Sequence, residues 1–108
     1  MNQYEPVRYQ IKIEGASLGV REAEEIGQAV APLLGIENSL LVLDLSDVQR
    51  IDWYGLHAIA TVADRARPKV EIVVCGANQD VAGLFHLVRL DRKLRMYPNL
   101  ESACKALD

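Results

Sequence analysis

Two aspartates, Asp44 and Asp52, and two histidines, His57 and His86, are the residues best suited to acid–base chemistry. Paired carboxylates could act as general acid and base, and a histidine could transfer a proton near neutral pH. However, Asp44 ends an apolar strand-like run and Asp52 begins a helical pattern, so each carboxylate is expected to accept backbone N–H groups. The histidines fall on separate predicted helices without metal-ligand spacing. We therefore predict structural aspartates, surface histidines and no enzymatic activity.

The remaining chemistry-bearing residues also lack a recognisable site pattern. Cys75 and Cys104 lie in apolar periodic segments, with no CxxC or Cys/His spacing, and are predicted to be reduced core residues without a metal. Neither GxxxxGK[ST] nor GxGxxG occurs, so Gly15 and Gly19 indicate only a turn. No cofactor is predicted.

The charge pattern limits the partners. Twelve Lys and Arg against fifteen Asp and Glu give a net charge of −3, which disfavours nucleic acid. One segment runs against this balance, because Arg89, Arg92, Lys93 and Arg95 surround a single aspartate. The segment is either a solvated loop or a basic rim for an acidic partner surface.

The length and hydropathy indicate one globular domain spanning residues 1–108. Half of the residues are hydrophobic and a quarter are charged, which is typical of a chain with its own core. No apolar run approaches the ~18 residues of a membrane span, and residues 1–6 lack the pattern of a signal peptide. We expect a cytoplasmic protein without membrane insertion.

Hydrophobic periodicity predicts strands at 7–14, 40–45, 70–75 and 94–97, each followed by a helix. Residues 7–14 alternate like a half-solvated strand, whereas 40–45 is nearly all apolar, as expected for a central strand covered on both faces. Pro32 should end the first helix, and Asp52 should cap the second. The third helix carries the stripe Val81, Leu84, Phe85 and Val88. This order predicts an α/β fold with a mixed, mostly parallel sheet and about four helices.

Residues 40–56, LLVLDLSDVQRIDWYGL, resemble the signature of STAS domains, the family of anti-sigma factor antagonists, which is usually close to "vvlDls.v..iDs.Gl". Leu90-Asp91 looks like the family's "GLd", and residues 97–103 are similar to its "ypsleeA". The resemblance spans about residues 7–107 and agrees with the predicted order of elements.

Two positions depart from the family pattern. Trp53 replaces the serine that a partner kinase phosphorylates in many of the family's anti-sigma factor antagonists, and an indole cannot accept phosphate there. Arg89 replaces the glycine of "GLd", so the turn at that point is expected to differ. A phosphate near a helix N-terminus would add up to ~2 negative charges to a docking surface, and this chain has lost that switch.

The resemblance implies a non-enzymatic module that binds a protein partner, such as a serine-kinase-like anti-sigma factor ATPase, in transcriptional regulation of a bacterial cell. The implied partner surface is the helix start, namely Asp52, Trp53, Tyr54, Gly55, Leu56 and His57. Trp53 is either an exposed binding anchor or a staple folded against the domain. Gly55 should permit a close approach to a strand or partner, and Gly55→Arg is expected to abolish binding without unfolding.

Three alternatives remain open from the sequence. A STAS domain could be a subunit of a lipid-transport ABC system and support its ATPase. The same surface could sense a small molecule or nucleotide, although the Asp52 carboxylate would compete with a bound anion. A second copy of the chain is a further candidate partner.

Overall fold

The computed structural model describes residues 7–36 and 39–107, so the expectation for residues 1–6 lies outside the described residues. A four-stranded sheet in the spatial order β1-β3-β5-β6 forms its centre, and every pairing in it is parallel. In chain order the strands and α-helices are β1 (Val7–Lys12), β2 (Ser17–Leu18), α1 (Val20–Val30), β3 (Ser39–Asp44), β4 (Arg50–Ile51), α2 (Trp53–Ala66), β5 (Val70–Cys75), α3 (Gln79–Leu87), β6 (Arg95–Tyr97) and α4 (Leu100–Leu107).

The predicted α/β order is confirmed, with two additions. The short strands β2 and β4 pair with each other in a separate parallel sheet. Two-residue strands are too short to show a hydrophobic period, so no sequence pattern predicted them. Helix α1 ends at Val30, close to the stop that was predicted at Pro32. A 3₁₀ turn over Ala31–Gly35 follows it.

Strand β3 is central, as predicted, and both of its faces are covered. Leu41 and Leu43 belong to the larger core beneath α1, α2 and α3, whereas Leu40 and Val42 belong to a smaller core with Ala103 of α4. Each such leucine or valine stabilises the fold by roughly 1.5–3 kcal/mol on burial. This two-sided burial explains the almost continuous apolar run of β3.

The edge strand β1 is half-solvated, but its predicted alternation is confirmed only in part, because Tyr9 on the apolar side is 42% exposed. Arg8, Gln10 and Lys12 are exposed, whereas Ile11 packs against the larger core and Ile13, just beyond the strand, is fully buried. Lys12 Nζ lies 3.5 Å from Asp47 Oδ1, which links the end of β1 to the loop after β3.

Both cysteines are free thiols on the side of the sheet that faces α4, and only Cys75 has the predicted core position. Cys75 is completely buried at the end of β5, and Cys104 on α4 is half-buried. Burial raises the pKa of Cys75 to about 11, with smaller contributions from the charges of Asp44 and Cys104. The fold therefore holds Cys75 as a neutral thiol.

We predict that this thiol makes the domain sensitive to alkaline pH. The fold raises the pKa of the Cys75 thiol from 9.0 to about 11. The contribution of the neutral thiol to the free energy of unfolding is therefore complete below about pH 9 and is lost as pH rises through about 11. The loss should reach about 2 kcal/mol, given ~1.4 kcal/mol for each pKa unit. Urea unfolding from pH 8 to pH 11 would measure it.

The control for this prediction is Cys75→Ala, which is less stable at pH 8 but lacks the titrating group. The difference in unfolding free energy between the two proteins should shrink as pH rises. A difference that stays constant across this range would contradict the prediction, because titration of the other groups is common to both proteins.

Candidate functional site

The small β2–β4 sheet determines where α2 begins. Ser17 pairs with Arg50 and Leu18 with Ile51, and the Arg50 Nε donates to the Ser17 Oγ at 3.0 Å. The Asp52 N–H then donates to the Leu18 carbonyl oxygen at 3.4 Å. Because β2 leads directly into α1 and β4 into α2, this pairing places the first turns of the two helices side by side.

Asp52 is the N-cap of α2, as predicted. Its Oδ1 accepts the Gly55 N–H at 2.7 Å, which satisfies one of the donors left free at a helix start. Asp44 also has a local backbone contact, because its Oδ1 accepts the Ser46 N–H at 2.9 Å. Both aspartates therefore have the structural contacts expected of them.

Gly55 lies where α2 packs closely against the small sheet. A Cβ at this position would lie 2.4 Å from the Leu18 carbonyl oxygen and 3.0 Å from the Gly19 Cα. The close approach predicted for Gly55 is thus made to the chain's own backbone. The expectation that Gly55→Arg leaves the fold intact is consequently wrong, since any side chain would push β2 away from the helix.

The six residues named from the sequence at this helix start divide into an exposed and a buried group. Trp53 and Tyr54 are 65% and 74% exposed, and Asp52 and His57 are also exposed. Gly55 and Leu56 are buried and help to position the others. Trp53 is therefore not a staple folded against the domain, and its ring is free to contact a partner.

The end of α3 also carries two exposed apolar residues, one of which, Val88, lies beside Trp53. Leu87 is 70% exposed and Val88 is 39% exposed, although the sequence pattern placed Val88 on the buried stripe. The helix ends at Leu87, so Val88 no longer follows the helical period that buries Val81 and Phe85. Trp53 and Val88 line one cavity of about 260 Å³, together with Leu56, His57, Ala60, Leu90 and Lys93. We call Trp53, Tyr54, Leu87 and Val88 the α2–α3 patch.

Asn78 connects the start of α3 to the loop that precedes α2. Its Oδ1 accepts the Val81 N–H at 2.8 Å and thereby caps α3. Its Nδ2 donates to the carbonyl oxygen of Gln49 at 3.0 Å and lies 3.4 Å from that of Val48. One amide thus links α3 to the segment that leads into α2.

The turn after α3 contains the only non-glycine residue with a positive φ among those described, Arg89, with φ of 63°. This left-handed conformation is the one that glycine adopts without strain. Arg89 thus holds a backbone conformation that a glycine would adopt without a Cβ penalty. The side chain of Arg89 is exposed beside the α2–α3 patch.

The four predicted basic residues separate into paired and unpaired cations. Lys93 Nζ lies 2.6 Å from Asp64 Oδ1, and Arg95 Nε lies 2.9 Å from Glu71 Oε1. Arg89 and Arg92 form no salt bridge with any residue of 7–36 or 39–107. Asp91 is engaged by His86 Nδ1 at 2.7 Å, and this hydrogen bond lowers the pKa of Asp91. The basic rim thus retains two arginines that form no salt bridge within the described residues, although the charge of Arg92 makes a small contribution to the lowered pKa of Asp91.

The described part of the chain holds no group of three or more His, Cys, Asp or Glu that could bind a metal ion. None of its helices is long and apolar enough to cross a membrane. His57 and His86 both lie on the surface, and the hydrogen bond of His86 to Asp91 was not predicted. The α2–α3 patch exposes four large hydrophobic side chains, and such a surface is suited to binding another molecule.

Comparison with known proteins identifies relatives of this architecture. The family model described as "STAS domain" matches residues 7–103. A Thermotoga maritima protein assigned as an anti-sigma factor antagonist is similar in structure, with a TM-score of 0.71 and 21% identity, over 91% of this chain and 86% of that chain. An anti-sigma factor antagonist from Mycobacterium paratuberculosis also gives a TM-score of 0.71, at 23% identity, over 91% of this chain and 83% of that chain.

A third solved structure comes from a different functional setting. It is a sulfate transporter family protein of Wolinella succinogenes, with a TM-score of 0.69 and 15% identity, over 93% of this chain and 84% of that chain. A comparison with curated proteins found no match. At these identities the solved structures establish the fold, and the predicted architecture is confirmed.

We predict that Gly55→Ala destabilises the domain by about 1–3 kcal/mol, the usual cost of an overpacked site. The physical reason is the 2.4 Å separation between the added Cβ and the Leu18 carbonyl oxygen. The matched control is Gly83→Ala in α3, where a Cβ meets nothing within 4 Å. That variant should gain about 0.5–1 kcal/mol, because alanine favours helix. Urea unfolding of both variants tests the prediction, and equal changes would refute it.

We also predict that Arg89→Gly stabilises the domain by about 0.5–1 kcal/mol. The left-handed conformation costs a non-glycine residue roughly 1–2 kcal/mol, part of which is offset by the greater entropy of glycine in the unfolded chain. Arg89→Ala is the control, since it removes the same charge but keeps the Cβ and its strain. A gain in the alanine variant equal to that of the glycine variant would show that charge, not backbone strain, is responsible.

Proposed function

The chain belongs to the STAS domain family, and from this premise we propose that it is a non-enzymatic module that binds another protein through the α2–α3 patch. The proposed role is partner switching that resembles anti-sigma factor antagonism, with a serine-kinase-like anti-sigma factor ATPase as the partner. The family match over residues 7–103 supports the general class. The proposal adds the surface, the partner and the absence of phosphate control.

The observation that carries the proposal is the exposure of Trp53 and Tyr54 on the first turn of α2. Two large aromatic rings with polar tips are costly to leave in water and are the residue types that dominate interface energetics. Their immediate support is rigid, since Asp52 caps the helix and the small sheet holds it. Such anchors lose little conformational entropy on binding.

The electrostatics of the surface favour an acidic partner. Arg89 and Arg92 follow the patch directly and have no salt bridge within the described residues, although the whole chain carries a net charge of −3. Unpaired cations at the rim of an apolar patch increase the association rate with a negative surface and help to fix its orientation. We therefore propose that the partner presents an apolar pocket bordered by Asp or Glu.

Control by phosphorylation at the family position is not part of the proposed mechanism. Trp53 has no hydroxyl group, so the docking surface cannot acquire a phosphate at the first position of α2. The indole also enlarges the apolar area at the position where a phosphate would add negative charge. We propose that binding is regulated by the availability of the partner.

Two free cysteines, one of them completely buried, are consistent with a reducing compartment and hence with action in the cytoplasm.

A second candidate function is a STAS module within a larger transport machine, such as a lipid-transport ABC system. The structural similarity to a sulfate transporter family protein is compatible with it. In that case the same patch would contact a transporter subunit.

Affinity capture from the native cell, followed by binding measurements with the purified partner, tests the proposal. Recovery of an anti-sigma factor ATPase supports the first role, whereas recovery of an ABC ATPase with membrane subunits supports the second. We predict that Trp53→Ala weakens binding to the recovered partner by ~2 kcal/mol or more. Its free energy of unfolding should change by less than about 0.5 kcal/mol, because the ring is exposed.

The control is Tyr9→Ala, which removes a 42% exposed ring on the edge strand outside the patch and should leave the affinity unchanged. In the free protein, the fluorescence of Trp53 should have a red-shifted emission maximum and should be reduced by soluble quenchers. The emission maximum should shift to the blue when the partner binds. If the two alanine variants bind equally well, the α2–α3 patch is not the docking surface.

A further inference from the structure

An open groove runs between helices α1 and α2. It has a volume of about 540 Å³, and its lining includes Gly27 and Ala31 from α1 and Ala58 and Val62 from α2. All four of these residues are at least partly exposed, so a molecule in the groove would contact them directly. Beyond Ala31 the groove continues into a smaller cavity that half-buried Leu34 lines. We call this surface the α1–α2 groove.

The two charged residues Glu24 and Arg65 lie at opposite ends of the α1–α2 groove. Helices α1 and α2 run in the same direction, because each returns from the end of one strand to the start of a parallel strand. Gly27 and Val62 lie at the same level, since a Cβ on Gly27 would be 3.6 Å from Val62 Cγ2. Glu24 comes nearly one turn before Gly27, and Arg65 comes nearly one turn after Val62.

Neither of these charges has an ionic partner in the described part of the chain. Glu24 and Arg65 are exposed and line the groove. They form no salt bridge with any residue of 7–36 or 39–107. The groove therefore has a free negative charge at one end, a free positive charge at the other and a largely apolar centre.

This charge arrangement is complementary to itself. A twofold axis through the centre of the groove, perpendicular to both helices, places a second copy of the chain end to end against the first. Glu24 of each copy then faces Arg65 of the other, which gives two identical ion pairs. A partner segment of a single charge sign would match one end of the groove and be repelled at the other.

We propose that the α1–α2 groove is the interface of a symmetric dimer of this chain. Twofold dimers are the commonest form of self-association among soluble proteins, and they require a surface that is complementary to itself. The apolar centre supplies the contact area, and the charges at the two ends fix the antiparallel orientation of the copies. Trp53 and Tyr54 do not line the groove, so this interface is distinct from the α2–α3 patch.

Sedimentation velocity of the full chain, without any partner protein, tests the proposal at pH 8, where histidine is neutral. Between ~1 μM and ~1 mM, the sedimentation coefficient should rise from that of the monomer to that of a dimer. Glu24→Arg and Arg65→Glu should each weaken dimerisation about tenfold or more, because each turns two attractive pairs into two repulsive ones. Both residues are exposed and lack ionic partners, so neither change removes a contact that the fold needs.

An equimolar mixture of these two variants should dimerise about as tightly as the unmodified chain. In the mixed dimer, Arg at position 24 faces Arg65→Glu of the other copy, and the remaining pair is the original one. The control is Glu25→Arg, which makes the same charge change at an exposed neighbour that does not line the groove.

Three results would overturn the proposal. A chain that remains monomeric at ~1 mM does not dimerise in the range of protein affinities that matter here, and the groove would then be left for a helix of another protein. If the mixture associates no better than the single variants, or if Glu25→Arg weakens dimerisation as much as Glu24→Arg, the dimer does not form through the groove. None of these outcomes depends on the protein partner of the α2–α3 patch.

Discussion

The contact between the first turn of α2 and the Leu18 carbonyl oxygen is the constraint on which the proposed functional surface depends. Gly55 permits it, because a Cβ there would lie only 2.4 Å from that oxygen. The approach lets Leu18 pair with Ile51, and it holds the Asp52 carboxylate over the free N–H groups of the helix. With the backbone of this turn fixed by its own contacts, the side chains at positions 53 and 54 are not needed for packing. They can therefore point into solvent.

The sequence predicted those elements whose residues carry a local signal. The apolar run of β3, the stop at Pro32 and the cap at Asp52 each depend on a few neighbouring residues, and each is present. What the sequence did not predict depends on contacts between distant residues. The pairing of Ser17–Leu18 with Arg50–Ile51 joins segments about thirty residues apart, and the Lys93–Asp64 pair joins residues 29 apart. No period or motif reports such contacts.

The same distinction applies to the candidate site. The family resemblance drew attention to the start of α2, but residue type alone left both orientations of Trp53 open. The other half of the α2–α3 patch was missed because Val88 continued an apolar stripe by one position beyond the true end of α3. Helix ends are where periodic reasoning is weakest. A hydrophobic residue just past such an end is therefore a candidate surface contact as much as a core residue.

Arg89 shows how backbone strain and charge are combined next to this surface. A residue held at φ of 63° without being glycine costs the fold free energy, and such outliers persist where surrounding structure or function requires them. The helix end and the following 3₁₀ turn fix the backbone there, since the Arg89 N–H donates to the His86 carbonyl oxygen and the Arg89 carbonyl accepts the Arg92 N–H. Arginine at this position therefore adds an exposed positive charge directly after Val88, at the edge of the α2–α3 patch.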